Sequence, residues 1–140
     1  MYKIVRKHVF NPTETLLEIE APEIAKKAKP GQFIILRVDE EGERIPLTVG
    51  GYDREKGTVT IIFQIVGAST YKLNKLEEGD SLHDFVGPLG QPTELTGEKV
   101  CVIGGGLGTA IAYPIAKAFH DAGKDVTAIA GFRNKDLIIL

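Results

Sequence analysis

The sequence predicts a small all-β antiparallel barrel followed by the first βαβ unit of a doubly wound α/β domain. Three observations carry this expectation. Through about residue 90 the chain is cut into short β-type segments by Gly, Pro, Asn and Asp turns, the spacing of a small barrel rather than of a parallel sheet. After Gly87-Pro88-Leu89-Gly90 the pattern changes to a continuous apolar run, Lys99 to Ile103, which is how a strand buried on both faces reads. That run ends in Gly104-Gly105-Gly106-Leu107-Gly108, and a helical stretch and a second apolar run follow it. Strand, glycine turn, helix, strand is the opening unit of a doubly wound sheet.

In chain order, Tyr2 to Phe10 reads as a strand closed by Asn11 and Pro12. Thr15, Leu17 and Ile19 alternate with Leu16, Glu18 and Glu20 in a second strand. Ala21 to Lys29 is a short helical or irregular link, Pro30-Gly31 a turn, and Gln32 to Val38 a third strand. A charged loop, Asp39 to Glu43, leads to strands at Ile45 to Val49 and Thr58 to Val66, with a polar turn around Asp53 to Gly57 between them. Ser69 to Leu76 reads as a short helix and Ser81 to Val86 as a further strand. Beyond the glycine turn, a helix over about Thr109 to Ala122 carries Ile111, Ile115, Ala118 and Phe119 on one side, and Gly123 caps it. Val126 to Gly131 is the second buried strand, and Cys101 reads as a core residue of the first. The division expected is a barrel domain at 1–97 and the start of an α/β domain at 98–140.

The composition is that of a globular protein, 43% hydrophobic and 26% charged over 140 residues. A net charge of −2 without a dense Lys/Arg run argues against nucleic acid and anionic membrane as partners. No apolar run approaches the roughly 18 residues that span a bilayer. The N-terminus reads directly as a strand rather than as a signal peptide. One cysteine excludes an intrachain disulfide framework and a cysteine-ligated cluster built from this chain alone. These features together lead us to expect a cytoplasmic protein.

Three motifs carry chemistry. In Gly104-Gly105-Gly106-Leu107-Gly108-Thr109-Ala110 the glycines let the backbone turn tightly and approach a pyrophosphate, and the following helix start offers free N–H groups. A plain strand-to-helix turn is the alternative, and Thr109 stands where the usual third glycine would be. In Arg44-Ile45-Pro46-Leu47-Thr48 an Arg at a strand entrance suits two diphosphate oxygens at once, and Thr48 lies an even step away on the same face. Alone, the segment reads equally well as a solvated Arg and a strand Thr. Gly67-Ala68-Ser69-Thr70 opens a short helix, where Ser or Thr ordinarily caps the helix and can also form an anion site.

Together with Pro30-Gly31-Gln32-Phe33 and Gly87-Pro88-Leu89-Gly90, and in this order, these motifs resemble the successive signatures of the ferredoxin–NADP reductase superfamily. The resemblance is closest to two kinds of subunit. One is the flavin subunit of NADH-dependent ferredoxin:NADP oxidoreductase, of the sulfide dehydrogenase type. The other is the electron-transfer subunit of dihydroorotate dehydrogenase. The stretches Gly42 to Thr48 and Gly104 to Ala118 carry the match most strongly.

The resemblance implies an FAD-binding barrel and an NAD(P)-binding second domain. It implies an NAD(P)H-dependent oxidoreductase subunit that passes electrons to an iron–sulfur protein or partner subunit. Arg44 would bind the FAD diphosphate, Ile45, Pro46 and Leu47 would line the flavin, and Thr48 would approach its N5 edge, where hydride arrives. Leu47 stands where relatives often have Tyr. Gly67, Ser69 and Thr70 would hold the phosphates from the other side. Gly104, Gly105, Gly106, Leu107 and Gly108 would face the nicotinamide nucleotide, where Arg133 leans toward a 2′-phosphate or is simply a surface Arg. Relatives carry a Cys-Gly motif and a C-terminal cysteine cluster that lie beyond Leu140, so an iron–sulfur centre belongs to a longer parent protein or a partner. The alternative expectation is a non-catalytic flavin- or partner-binding module. A two-stranded α/β start would leave apolar surface open, so residues from about 98 onward are expected to pair with another chain, as in a homodimer, or to be poorly ordered.

Overall fold

The computed structural model describes all 140 residues. Its strands are β1 (Tyr2–Asn11), β2 (Glu14–Glu20), β3 (Phe33–Arg37), β4 (Ile45–Thr48), β5 (Gly51–Asp53), β6 (Thr58–Gln64), β7 (Ser81–Leu82), β8 (Asp84–Leu89), β9 (Lys99–Gly105) and β10 (Asp125–Gly131). The helices are α1 (Pro22–Lys27), α2 (Ala68–Asn74) and α3 (Thr109–Asp121).

Period-two alternation builds the first part. Leu17 and Ile19 on β2 and Val59, Ile61 and Phe63 on β6 are fully buried, as every second residue of a strand facing a core should be. The two strands pair antiparallel from Glu14↔Gln64 to Glu20↔Thr58. They belong to a five-stranded sheet of order β5-β6-β2-β1-β7. A three-stranded sheet, β4-β3-β8, adds Ile34, Leu36 and Phe85 to the same core from the other side. The chain turns from one sheet into the other at two corners. At one, Val49 N donates to Gln32 O (3.0 Å) and Gly50 N to Thr60 O (2.8 Å). At the other, His83 N donates to Arg37 O (3.0 Å). This second corner splits the single strand expected at Ser81 to Val86. Its first half pairs with β1 and its second with β3. The short β5 lies where only a turn was expected.

The second part is a two-stranded parallel sheet, β10-β9, paired in register from Asp125↔Lys99 to Gly131↔Gly105, with α3 against it. Here the structure corrects the sequence reading. The strands are not buried on both faces: Ile103 is 72% exposed and Ile129 51%. Cys101 is exposed rather than a core residue. The reason is that α3 covers one face of this sheet and no element covers the other. The buried side of α3 also differs. Ala110, Pro114 and Phe119 are buried, while Ile111 is exposed.

The two parts meet through apolar side chains on the outer face of the larger sheet. Leu16 and Ile62 point away from the barrel core and are buried with Ala110 and Ile139, flanked by Phe10, Leu107 and Phe132. Outward-facing Leu16 and Ile62 would be wasted on a free-standing barrel, and their burial here explains them.

Candidate functional site

β4 divides the Arg44–Thr48 segment between two faces. Ile45 and Leu47 are packed against the core, whereas Arg44 and Pro46 are exposed and Thr48 is half-buried. The strand is fixed by pairing with β3, Leu36↔Ile45 through Phe33↔Thr48. Arg44, Pro46 and Thr48 therefore form the outward row, and Ile45 and Leu47 serve the core with their side chains.

Arg44 is held by a residue the sequence reading passed over. Asp84 Oδ2 accepts from Arg37 Nε at 2.8 Å and lies 3.2 Å from Arg44 Nη1. Arg37 and Asp84 are direct partners across β3 and β8, which puts the three charges in one row over the small sheet. A guanidinium has five N–H donors, so one carboxylate contact leaves Arg44 most of its donors.

Two segments far apart in sequence are tied together beside this row. Ser69 Oγ donates to Glu43 Oε2 at 3.3 Å, and Lys72 forms an ion pair with Asp39. The Lys72 hydrogen bond and charge, with the N–H groups of Glu41 and Gly42, hold the Asp39 carboxyl below its usual value. The result is a cavity of about 460 Å³ lined by Glu41, Gly42, Glu43, Ile45, Val66, Gly67, Ala68, Ser69, Thr70 and Lys72. A Cβ on Gly67 would meet nothing within 4 Å, so the cavity is open at that point.

The hydroxyls of α2 are not equivalent. Thr70 Oγ1 accepts from Val66 N (2.9 Å) and Gly67 N (3.1 Å) and donates to Gly67 O (3.1 Å). Its hydroxyl is spent on capping the helix, the ordinary role of such a residue. Ser69 has only its long bond to Glu43 and is the freer of the two.

A second cavity, of about 810 Å³, lies at the junction of the two parts. It is lined by Thr13, Glu14 and Gln64 from the barrel, by Ile103 to Leu107, by Ile129, and by Gly131, Phe132, Arg133 and Leu137. The glycines of the turn have different jobs. A Cβ on Gly104 would lie 2.8 Å from Thr109 Cα, so that glycine serves the packing of α3 on β9. Gly105, Gly106 and Gly108 face open space, and Gly106 has φ +55, a left-handed conformation that suits glycine. Arg133 is exposed at the end of β10. Gly104 to Leu107 and Arg133 thus share one cavity, and Gly108 lies just outside its lining.

Sequence reasoning missed Asp84, Glu43 and Glu14. Asp84 was legible only through its register with Arg37. Glu43 was visible only as part of a charged loop and Glu14 only as a solvated charge, because their partners and cover come from distant segments.

No family model matches the chain. An uncharacterized protein of Clostridium beijerinckii is 51% identical over 99% of this chain and 50% of its own length. The dihydroorotate dehydrogenase B (NAD(+)) electron transfer subunit homolog of Thermotoga maritima is 45% identical over 87% of this chain and 44% of its own length. A solved structure of NADH-dependent reduced ferredoxin-NADP oxidoreductase, described in connection with flavin-based electron bifurcation, superposes with a TM-score of 0.95. It is 42% identical and covers 100% of this chain and 51% of that one. Close homologues of the chain are dihydroorotate dehydrogenase B electron-transfer subunits, and its structural neighbours include NADH-dependent ferredoxin-NADP oxidoreductase. It spans about half the length of the relatives it matches. The fold agrees with this kinship: an antiparallel barrel-like part followed by a small βαβ part. No helix is long and apolar enough to cross a membrane.

Proposed function

We propose that this chain is the FAD-binding part of an electron-transfer oxidoreductase subunit, working between NAD(P)H and an iron–sulfur protein or partner subunit. One observation carries the reading. Two distant segments, Asp39–Thr48 and Gly67–Lys72, are tied into one cavity next to a guanidinium with donors to spare.

The donor set fits a dinucleotide diphosphate. Arg44 offers parallel N–H groups, Ser69 a hydroxyl, and the N–H groups of Ala68 to Thr70 have no acceptor within the helix. Glu43, bonded to Ser69, would yield by releasing that hydroxyl. Bound FAD supplies the capacity to take two electrons as hydride and pass them singly. The protein binds and orients: Arg44 and Ser69 hold the phosphates, Pro46 lies along the exposed row, and Thr48 places a hydroxyl at the reacting edge. The backbone of Ile45 and Leu47 shapes that row while their side chains anchor it to the core. Residues 1–97 form the flavin domain and 98–140 the start of the nicotinamide-nucleotide part, in which Gly105, Gly106 and Leu107 face the nucleotide and Gly108 leads into α3 beside it. The relatives' subunit partnerships and iron–sulfur chemistry extend to this chain as part of the same proposal, as does a cytoplasmic setting.

The visible spectrum of the purified chain, with and without added FAD, tests the reading. Bound oxidised flavin supports it, and bleaching by NAD(P)H supports the catalytic form. Bound flavin without bleaching favours the non-catalytic module. Failure to retain FAD at micromolar concentration overturns both.

A further inference from the structure

Glu14 opens β2 and reaches the second cavity from the barrel side. The residue is 4% exposed, and its Oε2 has no hydrogen-bond partner within the chain. The hairpin that carries it is firmly held. Asn11 Oδ1 accepts from Thr13 N (2.9 Å) and Thr13 Oγ1 (3.0 Å), and Ile65 N donates to Thr13 O (2.8 Å). Withdrawing a carboxylate from water without a partner is costly. Glu14 lines the cavity, and a donor that reached its carboxylate from there would satisfy it.

The neighbours identify the class of donor. β9, the glycine turn, α3 and β10 form the unit in which an acid closing the second strand accepts hydrogen bonds from a dinucleotide ribose. Here β10 closes on Gly131, and Phe132 and Arg133 follow, with no acid among them. Glu14 brings a carboxylate into the same cavity as Gly131 and Arg133, from another part of the chain.

We propose that Glu14 is the ribose-reading acid of this cavity. Its carboxylate accepts hydrogen bonds from the vicinal hydroxyls of a nucleotide ribose and repels a nucleotide that carries a 2′-phosphate. The inference rests on reading the cavity as the nicotinamide-nucleotide site. It goes beyond that reading by giving the choice of NAD(H) over NADP(H) to a barrel residue. Arg133 lines the same cavity with the opposite charge, but it is exposed, and water and salt screen it. Glu14 is enclosed by protein, where a charge acts with less screening, so it sets the preference.

Calorimetric titration of the full chain with NADH, NADPH, AMP and 2′-phospho-AMP tests the proposal by binding alone. The wild-type chain is expected to bind each unphosphorylated ligand at least about tenfold tighter than its 2′-phosphate counterpart. Glu14→Gln keeps the shape and removes the charge, and should bring both ratios close to one. Glu14→Asp should retain the preference, and an unchanged FAD content verifies the fold of both variants. A wild-type chain that prefers the 2′-phosphates, or ratios that Glu14→Gln leaves unmoved, overturns the role of Glu14 while the site reading stands. A chain that holds FAD but binds none of the four ligands overturns the nucleotide reading of the cavity, and Glu14's role with it.

Discussion

β6 and β9 are both seven-residue strands rich in Val and Ile, yet their fates differ. On β6, Val59, Ile61 and Phe63 are fully buried against the second barrel sheet, and Ile62 is buried beneath α3. On β9, Cys101 and Ile103 face outward and uncovered. The difference teaches that an apolar run records what a strand is able to bury, while neighbours decide what it does bury. The second barrel sheet covers one side of β6 and α3 the other, whereas β9 is covered by α3 on one side only.

The largest expected effect contrasts these strands directly. Phe63→Ala should cost about 3–5 kcal/mol of stability by leaving a cavity in a packed core. Ile103→Ala should stay within about 0.5 kcal/mol, the range of surface substitutions. Urea unfolding of both variants checks the pair, and equal losses would show that the outer face of β9 is covered in solution. Next comes the site on the small sheet. Arg44→Ala should weaken FAD binding about 10–150-fold, the loss of one charge-assisted contact, with little change in melting temperature because Asp84 keeps Arg37. An unaltered FAD dissociation constant removes Arg44 from the site.

The uncovered face of β9 and β10 also predicts association. Light scattering should show a concentration-dependent dimer at concentrations above those of the urea comparison, and Ile103→Lys should shift it to monomer; a wild-type monomer at all concentrations would show that the uncovered face does not drive association. Thr48→Val should shift the flavin's potential or its rate of reduction more than its affinity, if the hydroxyl lies at the reacting edge as we propose. Loss of FAD with an unchanged potential would move Thr48 to the anchoring side.

The smallest effect concerns Asp39. Its pKa is lowered in the fold by the hydrogen bond and charge of Lys72. The contribution is therefore fully present above the usual carboxylate range and is lost as pH falls through the lowered value. Asp39 is 46% exposed, so water screens the pair and the stability change is minor. NMR titration should find Asp39 protonating below the exposed carboxylates, and Lys72→Met should return it toward the ordinary value.

Much of the fold was legible because strands with one buried face announce themselves by alternation, and Gly, Pro and Asn mark where they stop. β1, β2, β3, β4 and β6 came through on those grounds. β5 did not, because Gly51-Tyr52-Asp53 is too short to show a period. The corner at His83 depends on a backbone bond to Arg37, forty-six positions earlier, which local sequence does not record. For the same reason Arg44 and Ser69 were visible as donors, while Asp84, Glu43 and Glu14 were not. A carboxylate declares its role only when its neighbour across the sheet or across the domain junction is known. Thr70 shows the converse: its residue type suited a ligand, but its hydroxyl was claimed by Val66 and Gly67.

The carboxylate of Asp84 is shared between two guanidiniums, and on the proposed role of Arg44 that sharing would ease the exchange of one anion for another. Were Arg44 its sole counter-ion, capturing a phosphate would strand Asp84 bare over the small sheet, and the exchange would face a barrier. With Arg37 bound at 2.8 Å, Arg44 can trade one oxyanion for another while Asp84 stays neutralised. The trio acts as a relay in which one arm is clamped and the other is on loan. The loaned arm is kept aimed by a contact that it can give up cheaply.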